Sequence, residues 1–151
     1  MLLDAPTISL QQIEAQTHAL VADRDRWTER EVSALVDRVG ILGAPFVVYL
    51  LADAPRFPVE LVRPHAGAVF AEAHRPELIM KRGAWIRLFR RIGYTVNGKS
   101  SPAPRDPLIL WRGCHPEHLD NMTWTADRDV AVMYAGKPGR HLLSLIHISE
   151  R

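Results

Sequence analysis

Residues 93–107, GYTVNGKSSPAPRDP, separate two kinds of pattern in this chain. Pro102, Pro104 and Pro107 hold the segment extended, because a proline ring disfavours helix in the residue before it. Asn97-Gly98 within it is a tight-turn signal. Ahead of the segment, apolar residues recur at helical spacing. Behind it comes a short apolar run of strand character. Neither a uniform helical bundle nor a pure sandwich suits a chain divided in this way. The pattern predicts an α+β protein, with a helical N-terminal region over residues 1–98 and a β/α region beginning at residue 99.

Several helix signals lie in the first region. Ser9 followed by Gln12 has the form of a capping box, and Leu10, Ile13, Thr17, Leu20 and Val21 then fall near one face. Residues 23–25 are a charged break, and Thr28 with Glu31 repeats the box. Val32, Leu35, Val36 and Val39 follow at i, i+3, i+4 and i+7, with Gly40 as a natural stop. Residues 44–51 are apolar on every side, so they are buried either as helix or as strand; Pro45 suits a first helical turn. Residues 54–58 read as a turn and 60–73 as a weaker helix with Pro64 near its start. Pro76 opens a helix predicted to run to Ile92, turning Leu78, Trp85, Leu88, Phe89 and Ile92 inward. Lys81, Arg82, Arg87, Arg90 and Arg91 fill much of its remaining surface with no acid between them. Such a row either contacts nucleic acid or is a solvated face that complements the helix C-terminus. No exposed aromatics interleave the charges, which favours the second, so nucleic acid is not an expected partner.

Composition narrows the setting. Hydrophobic residues at 47% are enough for a core, and a net charge of +2 is far from polybasic. Cys114 is the sole cysteine, which excludes an intrachain disulfide and fits a reducing, cytoplasmic compartment. The opening MLLDAPTISLQQ lacks a signal-peptide pattern. The longest apolar stretch, residues 41–52, is interrupted by Gly43 and Pro45 and falls short of the roughly 20 residues that cross a bilayer. No membrane partner is expected.

The chemistry-bearing stretch is residues 108–135, LILWRGCHPEHLDNMTWTADRDVAVMYA. A guanidinium ending a short strand, as Arg112 does, can hold a pyrophosphate through two parallel hydrogen bonds. It can equally pair with a carboxylate such as Asp127 or Asp129. Gly113 allows a ligand or another backbone to approach closely. Thr123 and Thr125 alternate around Trp124, so in an extended backbone both hydroxyls face one side and the indole the other. Thr125 or Asp127 also suits the cap of a helix predicted over residues 127–135. In that helix Val130, Met133 and Tyr134 are expected to face the sheet, and Trp124 is expected in the core. Cys114 and His115, with His118 nearby, match no zinc spacing, and no metal site is expected. Adjacent residues seldom point at one another, so a Cys114–His115 nucleophile is not expected either.

This arrangement resembles the first half of an ADP-ribosyltransferase fold. Leu110-Trp111-Arg112-Gly113 matches that family's strand-end arginine, which holds the phosphates or ribose of NAD. Thr123-Trp124-Thr125 matches its Ser-Thr-Ser step, which shapes the nicotinamide-ribose pocket, with Thr in place of Ser at 123. Ala131 and Tyr134 match the helix that follows. More narrowly, residues 85–135 look like proteins of actinobacteria and their phages in which an IGY and a proline-rich loop lead into LYRG and then MSWTTD. The resemblance implies NAD as substrate, a site lined by Arg112, Gly113, Thr123, Trp124 and Thr125, and a protein acceptor or water. The family's glutamate has no match here, so the catalytic group is expected beyond Leu142 and the chain is expected to be inactive as written. Residues 143–150, LSLIHISE, resemble the translation of a transposon-end adapter used in sequencing libraries. On that reading 143–151 is a non-native tail on a region, 99–142, that is truncated; the same Leu/Ile/Ser alternation also suits a β-strand. The rival functions are a non-catalytic bacterial or phage interaction module and a nucleic-acid-binding helical protein.

Overall fold

A computed structural model describes residues 8–73, 75–118 and 124–147, with His118 and residues 145–147 described by their backbone alone. The protein is α+β. It falls into two compact units, Met1–Pro102 and Ala103–Arg151.

The first unit is helical. Helix α1 (Leu10–Ala22) starts at the full capping box of Ser9 and Gln12, each side chain satisfying the other's backbone amide. Helix α2 (Glu29–Asp53) starts on the Thr28 hydroxyl, which accepts from the Glu31 amide. The reciprocal half of that second box is not made, because the Glu31 carboxylate turns to Arg26 instead. Gly40 stops regular helix as its position predicts, at φ 69°, but a second helical segment resumes at once with Pro45 in its first turns. The apolar run 44–51 is therefore helix, and Val47, Val48 and Leu51 within it are buried. By length and composition alone α2 could cross a membrane. Its buried residues instead face α1, helix α3 (Val59–Glu72) and helix α5 (Arg82–Ile92).

The helix expected from Pro76 to Ile92 is two. Helix α4 (Pro76–Ile79) ends at Met80, which is extended at φ −135° and ψ 148°, and α5 begins after Lys81. The break turns Met80 into the core and leaves Leu78 69% exposed, contrary to its predicted inward position. It also lets the Trp85 indole donate to the Pro76 carbonyl at 3.0 Å. Trp85, Leu88 and Ile92 are buried as expected, and Phe70 meets Trp85 and Phe89 edge-on.

Two arginines of the basic row have structural work within this unit. Arg91 Nε donates to the Ala52 carbonyl at the end of α2, and Arg87 both stacks over the Tyr49 ring and donates to its hydroxyl. Arg63 of α3 in turn donates to the Ile92 carbonyl at the end of α5. Helix ends leave carbonyls without intrahelical donors, and a guanidinium there satisfies one while matching the negative end of the dipole. The unit closes with a hairpin of β1 (Thr95–Val96) and β2 (Lys99–Ser100), with Asn97 and Gly98 both at positive φ in its turn.

The second unit contains β3 (Leu108–Cys114), helix α6 (Arg128–Ala135) and β4 (His141–His147). β3 and β4 pair antiparallel from Leu108↔His147 to Cys114↔His141. The strand-like alternation near the end of the chain thus forms β4. Across its other edge, among the described residues, β3 has a single bridge, Trp111↔Thr125.

Candidate functional site

Alternation along β3 sorts the predicted site residues onto two faces, since successive side chains leave a strand on opposite sides. Gly113 belongs to the α6 face. A Cβ at that position would collide with the Ala131 carbonyl oxygen and the Ala135 amide nitrogen, and would lie 2.8 Å from the Tyr134 carbonyl carbon. The backbone that approaches Gly113 is therefore that of α6. Trp111 shares this face, and Arg128, the first residue of α6, sits over its ring at 5.5 Å.

Thr125 is held beside Trp111 by two backbone hydrogen bonds, of 2.7 and 2.9 Å. Its hydroxyl accepts from the Asp127 amide at 3.0 Å. Asp127 Oδ1 in turn accepts from the amides of Asp129 and Val130 at 2.9 and 3.3 Å, which makes it the N-cap of α6. Both residues proposed for the cap take part in building it, and the Asp127 carboxylate is engaged there.

Arg112, one residue from Trp111, leaves on the opposite face. It is half-buried, with its Nε enclosed. The hydrogen-bonded pairing of Thr125 with Trp111 puts the Thr125 and Arg112 side chains on different sides of the ladder. Trp124 is half-buried. Thr123, the residue expected to share a pocket with Arg112, lies outside the described residues, as do its neighbours 119–122.

Helix α6 meets the sheet differently from the sequence expectation. Ala131 is buried against β3, whereas Met133 is 65% and Tyr134 48% exposed, and Val130 is exposed too. The large side chains face away because Gly113 admits the helix backbone itself. Small residues four apart, Ala131 and Ala135, form the contact. The signal was present as a glycine on the strand matched to an alanine pair on the helix.

His115 follows Cys114 just past the end of β3. The His115 ring packs over Gly139, where a Cβ would stand 2.6 Å from its Cε1, and Gly139 has φ +74° in the turn before β4. Cys114 is buried on Arg112's face. Directly across from it stands His141, which sequence reasoning did not single out. Only the strand register reveals that pairing. Among the described residues no group of three or more His, Cys, Asp or Glu is arranged to hold a metal ion.

No protein-family model, curated protein or solved structure matches the chain.

Proposed function

We propose that this chain carries the NAD-binding part of an ADP-ribosyltransferase-like protein, with Arg112 as the ligand to the phosphates or ribose of NAD. One observation above all supports the reading. The two halves of the resembled motif are separated by a loop, yet Trp111, the residue before Arg112, and Thr125 are hydrogen-bonded backbone neighbours, with α6 beginning soon after. A guanidinium near the end of a strand can hold a diphosphate through two parallel hydrogen bonds. Among the described residues on Arg112's face of the ladder there is no carboxylate to stabilise an oxocarbenium-like transition state. The expected behaviour is binding without cleavage.

The separation of Arg112 and Thr125 onto opposite faces favours a second reading, a non-catalytic binding module that uses Arg112's face alone. Calorimetric titration of NAD into the chain, beside an assay of nicotinamide release, tests both. NAD binding that Arg112→Ala abolishes, without nicotinamide release, is the expected result. Absence of NAD binding would leave the non-catalytic module as the better account.

A further inference from the structure

The α4–α5 corner and the exposed side of α5 concentrate positive charge. Six of the chain's 19 basic residues and one of its 17 acids fall within residues 75–91, so the rest of the chain is net acidic. That one acid, Glu77, pairs with Arg75 at 3.4 Å. The next acid upstream, Glu72, is the last residue of α3. Arg87 and Arg91 are engaged within the unit, by Tyr49 and by the end of α2. Lys81, Arg82 and Arg90 are exposed, and among the described residues none of them has an ion-pair partner. Leu78, three residues before Lys81, is 69% exposed, because the break at Met80 sends Met80 into the core in its place. We propose that this part of the helical unit, Leu78 with Lys81, Arg82 and Arg90, is a docking surface for an anionic membrane.

Two observations single out a lipid surface among polyanions. Within residues 75–91 no exposed side chain is aromatic, since Trp85 is buried and Phe89 half-buried, so nothing is offered to stack on a base. The large exposed side chain is aliphatic instead. It gains by entering the boundary between headgroups and acyl chains, and gains nothing from a phosphate backbone. Arg82, Ile86 and Arg90 recur four residues apart, so the two arginines lie along one stripe of α5. Their charges can meet lipid phosphates while the apolar face of α5, with Trp85, Leu88 and Ile92, stays in the core. Contact of this kind lies on the membrane and needs no spanning segment. Each cation near an anionic leaflet adds about fivefold in affinity, and that attraction is screened by salt, so the association is weak and reversible.

The test is co-sedimentation of the whole chain with two kinds of vesicle, phosphatidylcholine alone and phosphatidylcholine mixed with phosphatidylglycerol, beside fluorescence anisotropy with duplex DNA. It compares wild type, Leu78→Ser, and Lys81→Gln combined with Arg82→Gln. All three positions are exposed, so the fold is expected to survive, and far-ultraviolet circular dichroism checks that it does. Wild type is expected to bind the mixed vesicles and not the neutral ones, and to release as salt is raised. Losing Lys81 and Arg82 should weaken that binding on the order of 20-fold. Leu78→Ser should weaken it severalfold with the charge untouched. No binding of wild type to mixed vesicles, or equal binding to neutral ones, overturns the proposal. Leu78→Ser that binds as tightly as wild type overturns the membrane assignment. Duplex DNA held as tightly as the mixed vesicles would make this surface a nucleic-acid site instead.

Discussion

Gly113 lies directly beneath Ala131, close enough that the helix backbone occupies the volume a side chain at 113 would need. The atoms in the way are backbone atoms of α6, which cannot move aside as a flexible side chain could. Gly113→Ala is therefore expected to destabilise the β3–α6 unit by about 1–3 kcal/mol, the usual range for overpacking. Urea denaturation followed by tryptophan fluorescence, which Trp111 reports from the same face, measures it. An unchanged midpoint would mean that α6 does not rest on β3 in this way.

The opposite outcome is expected at Gly67. This exposed glycine sits inside α3, and nothing lies within 4 Å of where its Cβ would be. Gly67→Ala should raise stability by roughly 0.5–1 kcal/mol, since glycine is the costlier residue in a helix interior. A fall in melting temperature would count against the helix over this position.

His65 predicts an acid sensitivity. Burial lowers its pKa from the ordinary 6.5, with Glu29 and Asp37 pulling weakly the other way. The unfolded chain then takes up the proton before the folded one does. This contribution to stability is complete above the ordinary value and is lost as pH falls from there through the folded value. Among the described residues the buried Nε2 has no hydrogen-bond partner that would offset a charge. Urea midpoints measured across this range should fall with acid in wild type and fall less steeply in His65→Leu. Parallel slopes would remove the assignment.

The arginines of α5 should matter for folding and not for DNA. Arg87 is engaged by Tyr49 and Arg91 by the end of α2. Arg91→Ala is expected to cost about 0.5–1.5 kcal/mol, the net worth of a typical hydrogen bond. Fluorescence anisotropy with duplex DNA at physiological salt should show no saturable binding. Tight binding with a steep salt dependence, lost on replacing Arg87, Arg90 and Arg91, would point to phosphate contacts instead.

Much of the helical unit was legible in advance because its signals are local. The Ser9–Gln12 box, the Thr28 cap, the Gly40 stop and the Asn97-Gly98 turn each depend on residues within one turn of each other. What could not be read depended on partners distant in sequence. The break at Met80 follows from Trp85 reaching back to Pro76 and from a core that takes Met80 in place of Leu78. The orientation of α6 follows from Gly113, and periodicity within 127–135 alone pointed its large side chains the wrong way. At the candidate site, Arg112 and Thr125 were recognisable as residue types, but their opposite faces and the pairing of Cys114 with His141 are properties of strand register. Register is set by tertiary pairing, so no pattern within one segment contains it.

The pairing of β3 has a consequence for the order in which the chain acquires its structure. Each helix of the first unit closes its hydrogen bonds within itself, so that unit can form while later residues are still being made. β3 has no such option. Its ladder partners are residues 141–147, and its bridge to Thr125 and its packing against α6 are likewise with downstream residues. Non-local pairings form slowly because loop-closure entropy is lost before any contact offsets it. During synthesis, Leu108 to Cys114 is thus expected to wait as an exposed apolar segment until β4 emerges, which makes this interval the point at which the nascent chain is most open to aggregation.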